Sequence, residues 1–152
     1  MGNFFTKQDP ILLKYHKSDP NVAKGSYELF AALSAMSPLI CTEMKYAHPF
    51  TDEVEEDVKY IVNRYPESIH TEIGFMRMRF CVTPLQIAIL NPDVPISLIE
   101  WLLEHGAHPN LFYNENLHKR IHLFSDTFYK ISKERQDAIE AILLTYNEYK
   151  SH

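Results

Sequence analysis

Apolar residues recur along the chain at helical intervals, in blocks separated by prolines, glycines and polar clusters. The clearest block, Val54, Val58, Ile61 and Val62, has i, i+4, i+7, i+8 spacing, which puts all four on one face of a helix. Asp52 followed three residues later by Glu55 reads as a capping box that opens this helix. Tyr65-Pro66 closes it, because a residue ahead of proline is pushed out of the helical region. Ser97 and Glu100 offer the same opening to Leu98, Ile99, Leu102 and Leu103, and that helix stops at Gly106, the residue type that tolerates a left-handed C′ position. A third apolar helix, residues 138–144, follows the polar opening 133–137. Glu134, Arg135, Gln136, Glu140, Glu148 and Lys150 fall between its apolar positions and read as a solvated outer face.

Prolines mark two more starts. Thr83-Pro84-Leu85 and Ser37-Pro38-Leu39 each set a hydroxyl residue before a proline, where the hydroxyl caps an orphan N–H and the proline has none to lose. Asp9-Pro10-Ile11-Leu12-Leu13 and Ser26 to Leu33 predict two short helices near the N-terminus, read as a cap. The apolar pairs Ile61-Val62, Leu102-Leu103 and Leu143-Leu144 begin 41 residues apart both times, the signature of an internal repeat. One helix pair cannot bury its apolar face alone, so about three units must stack. The expectation is an all-α repeat array with Leu85, Ala88, Ile99, Leu102 and Leu103 between its units. Strand-like alternation is convincing only over Phe75–Val82.

Composition narrows the class. Length (152 residues) and 45% apolar content fit one domain or a short array with a core, and four glycines against nine prolines suit helices with rigid corners. A net charge of -5 argues against nucleic acid as the partner, since phosphates reward clustered cations. Cys41 and Cys81 make no disulfide framework and read as buried small apolar residues of a protein in a reducing, cytoplasmic compartment. The chain shows neither a run of ~18 apolar residues nor an ordinary secretory leader, and the expectation is a soluble intracellular domain.

Residues 83–110 resemble one ankyrin repeat. Thr83-Pro84-Leu85-Gln86-Ile87-Ala88 parallels that family's T-P-L-H-x-A helix, and Leu98-Ile99-Glu100-Trp101-Leu102-Leu103 followed by Gly106-Ala107-His108-Pro109-Asn110 parallels its second helix and G-A-x-x-N ending. Gln86 stands where the family prefers His and Cys81 where it usually has Gly, and about two extra residues sit in 91–95. The resemblance therefore implies a less regular stack. It implies N-terminal capping helices over 1–33, a degenerate repeat over 34–79, the well-matched repeat over 80–112, a closing repeat over 113–152, and short hairpins between units. It also implies a protein-protein interaction module without enzymatic activity, which binds another protein through hairpin fingertips and the exposed face of each first helix. Carried onto this chain, those positions are Arg79, Phe80, Val82, Leu90 and Asn91 in the strong repeat, and Met36, Met44 and Lys45 in the weak one.

The segment 74–80 has its own signal. In a hairpin finger Arg77 and Arg79 share one face, and Met76, Met78 and Phe80 the other. Arg and aromatics are enriched among binding hot spots, and Met adapts to irregular surfaces. Arg77, Met78, Arg79 and Phe80 are therefore the leading partner-binding candidates, against the alternative that their apolar side packs beneath the next helices. Other chemistry is not indicated. His118 and His122 have i, i+4 spacing but lack the glutamate of a zinc protease, and no metal or cofactor is expected. The acidic run 52–57 suits the positive end of a helix dipole. Met1-Gly2-Asn3-Phe4-Phe5-Thr6 fits the N-myristoylation pattern, which supports an alternative function: a lipid-anchored, membrane-associated adaptor or host-directed effector held through Gly2.

Overall fold

The computed structural model describes residues 9–15, 22–34, 49–74, 81–109 and 132–151. Among the described residues six α-helices run in the order α1 (Pro10–Leu13), α2 (Ser26–Leu33), α3 (Asp52–Arg64), α4 (Pro84–Leu90), α5 (Ile96–Glu104) and α6 (Lys133–Ser151). A 3-10 turn, Pro66–His70, follows α3, and two-residue strands β1 (Ile73–Gly74) and β2 (Cys81–Val82) precede α4. The fold is all-α, with this antiparallel pair, Ile73 opposite Val82 and Gly74 opposite Cys81, as its sheet among the described residues. The helix predicted from Ser37-Pro38-Leu39 lies outside the described residues, as do His118 and His122.

Local chemistry explains the helix ends. The Thr83 hydroxyl accepts from the Gln86 N–H while the Gln86 carbonyl oxygen accepts from the Thr83 N–H, a complete capping box with Pro84 at the first helical position. Gln86, a departure from the ankyrin pattern, thus still closes the start of α4. At α3 the cap is Thr51, whose hydroxyl accepts from the Val54 N–H. Asp52, the residue expected there, is the first helical residue and joins Glu53 and Glu55 at the positive dipole end. Ser97 does not cap either: α5 begins at Ile96 after Pro95, two residues too early for a Ser97 cap. Gly106 ends the α5 region at φ +107°, as a left-handed C′ residue should. The polar opening 133–137 proves helical, led by Ser132, whose hydroxyl accepts from the Arg135 N–H.

Packing centres on α2 and α4. Helix α2 packs against α3, α4 and the 3-10 turn; α4 packs against α5, and α5 against α6. Seven of the eight α2 residues are buried, so it is a core helix and presents none of the exposed face that a terminal cap should carry. Gly25 starts it at φ +87°, where an added Cβ would lie 3.1 Å from the Tyr65 ring and 3.2 Å from Ile61. Leu85, Ala88, Ile99, Leu102 and Leu103 are all buried, as the apolar spacing requires. The pairs at 41-residue intervals are buried except for Leu144, which is 48% exposed. Among the described elements α6 packs principally on α5, which covers the side of Leu143 and leaves Leu144 outward.

The last helix corrects the sequence reading. Arg135, assigned there to a solvated face, reaches across to the end of α4: Nη2 donates to the carbonyls of Ala88 (2.9 Å) and Asn91 (2.8 Å), Nη1 to Val94 (2.7 Å) and Nε to Ile89 (3.4 Å). Glu28 is the opposite case. It is 1% exposed and neither carboxyl oxygen has a hydrogen-bond partner. Burial pushes its pKa up; Lys24 opposes that rise and Asp9 adds to it.

Two outcomes follow. Leu102→Ala should cost roughly 2–5 kcal/mol in a denaturant titration, from lost transfer energy plus a residual cavity, and a cost below about 1 kcal/mol would contradict this packing. The raised pKa of Glu28 means that its favourable contribution is complete below its unfolded value and is lost as pH rises through the folded one. Glu28→Gln should therefore raise the melting temperature at pH 7 and leave it nearly unchanged at pH 4. An equal effect at both pH values would show that ionisation is not the cause.

Candidate protein-interaction surface

The hairpin is the element that carries the leading binding candidates. Of the predicted alternation, Phe75–Val82, only the end, β2, lies within the described residues; β1, just before it in sequence, pairs with β2 directly ahead of the capped start of α4, and residues 75–80 lie between them in sequence. Val82 is in β2. Arg77, Met78, Arg79 and Phe80 lie outside the described residues, as do Met36, Met44, Lys45 and Gly2.

Leu90 and Asn91 are corrections. Both were expected to face a partner, and both are buried. The Asn91 amide nitrogen donates to the Leu33 carbonyl at 2.8 Å, its amide oxygen accepts from the Asp93 N–H at 3.0 Å, and its main-chain carbonyl accepts from Arg135. Where a hydrophobic helix meets a turn in a crowded interior, the asparagine satisfies backbone groups that water cannot reach. Its place at the end of the helix gave the sequence reading no signal of that role.

The exposed ground beside these elements is formed by the outer sides of α3 and α5. Glu56 and Tyr60 on α3 and Ser97, Glu100 and Glu104 on α5 are exposed, with half-buried Lys59 and Trp101 between them. Lys59 Nζ lies 5.9 Å from the Trp101 ring centroid, which joins the two helices across this face. The His105 ring stacks on Trp101 at 3.7 Å between centroids and 20° between planes, and its Nδ1 lies 2.8 Å from the Trp101 carbonyl. Among the described residues no three His, Cys, Asp or Glu side chains converge as metal ligands, and no helix is long and apolar enough to cross a membrane.

A second polar constellation ties residues 9–15 to α3. Asp9 caps α1 by accepting from the Ile11 N–H at 2.9 Å. Its other oxygen accepts from the hydroxyls of Tyr60 (2.8 Å) and Tyr65 (2.7 Å). Burial works against the Asp9 carboxylate, but the two tyrosine hydrogen bonds and the Ile11 N–H outweigh it and hold its pKa below the ordinary value. Burial, then the bond to Asp9, push the Tyr65 phenol up to about 12. Lys24 and Arg64 also face the Tyr65 ring, at 5.4 and 5.6 Å from its centroid. At the other end of the segment, Lys14 Nζ lies 3.0 Å from Glu53 Oε1 and 3.2 Å from Asp57 Oδ2, and the Tyr15 hydroxyl donates to the same Asp57 oxygen. The hydrogen bonds to Glu53 and then Asp57 raise the Lys14 pKa, while burial and then the bond to Asp57 raise that of the Tyr15 phenol. The sequence reading missed this site because its members lie 39 to 56 positions apart.

No protein-family model matches the chain, and neither a curated protein nor a solved structure matches it.

Proposed function

We propose that this chain is a protein-binding scaffold of the ankyrin type, which works by presenting a fixed surface and carries out no reaction of its own. The observation that supports it is the order of parts along 73–106: a paired hairpin base, a Thr-Pro helix start closed by a capping box, two packed helices joined by a short turn and a left-handed glycine. In this reading α2 with α3 forms the unit before α4 with α5, since α2 packs on both α3 and α4 and Asn91 ties the ends of α2 and α4 together. The hairpin then serves as a finger, and Arg77, Met78, Arg79 and Phe80 make the contact with another protein. A paired base fixed to a capped helix lowers the ordering cost of binding, which favours recognition by a few anchor residues. The reading needs no cofactor and suits a reducing compartment.

Crosslinking in the producing cells identifies the partner, and titration calorimetry then measures its affinity for three chains: wild type, Arg79→Ala and Phe80→Ala. Each substitution should weaken binding by roughly 1–2 kcal/mol or more, as hot-spot residues do, with little change in melting temperature. A fall in melting temperature with unchanged affinity would remove the finger from the binding model.

A further inference from the structure

Among the described residues, 9–15 meet the rest of the fold through one short helix and the side chains around it. Helix α1 has four residues, of which Leu12 alone is buried, while Leu13 is 60% exposed. Its principal packing neighbour is α3. Leu12 and Tyr15 are buried in the core and Ile11 packs against it; the rest of the attachment is polar: Asp9 to Tyr60 and Tyr65, and Lys14 and Tyr15 to Glu53 and Asp57. Segments held by few buried apolar contacts and by hydrogen bonds at the rim open at lower free energy than the core, and exposed ion pairs add little to hold them. The ground beneath is specific all the same. Glu53, Asp57 and Tyr60 follow i, i+4, i+7 spacing and form one stripe of α3. Asp57 is only 6% exposed, and Lys14 and Tyr15 supply its side-chain partners. Opening of the segment would strip both partners from a carboxylate at the centre of that stripe, which creates a demand for a replacement of the same chemistry.

We infer that the Glu53–Asp57–Tyr60 stripe of α3 is a peptide-docking surface, that residues 9–15 are its resident occupant, and that a partner segment of matching chemistry displaces them. The matching segment presents a carboxylate to Tyr60 and Tyr65, a leucine three residues later to the apolar contact, and a Lys-Tyr pair to Glu53 and Asp57. Because the resident segment is tethered, its effective concentration is on the order of millimolar, so the surface is closed to weak competitors and open to strong ones. This surface is separate from the hairpin finger, and its failure would leave the finger reading untouched.

Two measurements on the full chain test the inference. Hydrogen exchange compares the Leu13, Lys14 and Tyr15 amides, which donate to Asp9, Ile11 and Leu12 carbonyls, with those of α4. The first group should exchange at least about 100-fold faster after correction for intrinsic rates, and Asp9→Asn/Lys14→Ala should accelerate it further while α4 protection is unchanged. Exchange at the rate of α4 would mean that the segment is core and that the surface is never uncovered. A fluorescein-labelled peptide of residues 8–17 is then titrated by anisotropy into wild type and into the same double variant. Binding to the variant should be at least about fivefold tighter, since the resident competitor is weakened, and adding Asp57→Asn should abolish the gain. Equal affinity for both chains, or no binding to either, overturns the inference.

Discussion

One guanidinium closes the carboxyl end of α4, and the arrangement of the other helices follows from it. Arg135 spends four N–H bonds there: on the carbonyls of Ala88, Ile89 and Val94 at the helix end and the turn after it, and on that of Asn91, which also accepts from the Val94 N–H. A cation there also meets the negative end of the helix dipole. Burial lowers the Arg135 pKa and Asp93 opposes that fall, yet a guanidinium keeps its charge at neutral pH. Leaving these carbonyls bare would cost more than desolvating the arginine, because each unpaired buried acceptor carries a penalty of about 1–3 kcal/mol. The position of α6 is thereby tied to a turn more than 40 residues upstream in the chain.

The same turn grips the opposite side of the core through Asn91. Its amide nitrogen reaches the end of α2 while its own carbonyl is held by Arg135, so the ends of α2 and α4 and the first turn of α6 meet at one residue. With that junction fixed, the capping box of α4 is held in place at the other end of the helix, and the hairpin leads directly into it. The finger proposed to bind a partner therefore springs from the same rigid helix that organises the core. By contrast, residues 9–15 sit at the edge of this network and attach to α3 alone among their principal contacts. The ends of α2 and α4 and the start of α6 share buried hydrogen bonds at one turn, whereas residues 9–15 meet α3 through Asp9, Lys14 and Tyr15.

The legible features were those set by neighbours in sequence. Apolar spacing located α3, α5 and α6; Thr83-Pro84 gave the start of α4, Gly106 the end of α5, and the alternation ending at Val82 the second of the two paired strands. Each depends on a few adjacent residues and on backbone geometry. The misread residues depend on partners far away. Arg135 looked like one more polar residue on an exposed helix face, Asn91 like a partner-facing position, and α2 like a terminal cap. Only the tertiary arrangement brings Arg135 to four carbonyls, Asn91 to Leu33 and α2 between α3 and α4. Even the local caps at Thr51 and Pro95 show the limit, since several neighbouring residues could open those helices and backbone geometry chose between them. The orphaned carboxyl of Glu28 had no sequence signal, because a glutamate near a helix start reads as favourable until its surroundings are known.

The central claim, that one turn joins α2, α4 and α6, is tested most directly by a double-mutant cycle between Asn91→Ala and Arg135→Ala, read by equilibrium unfolding in urea. The two side chains act on the same few peptide groups, so the single losses should fail to add by at least about 1 kcal/mol. Losses that add to within about 0.5 kcal/mol would mean that the residues hold independent parts of the fold, and the account of a shared junction would be wrong.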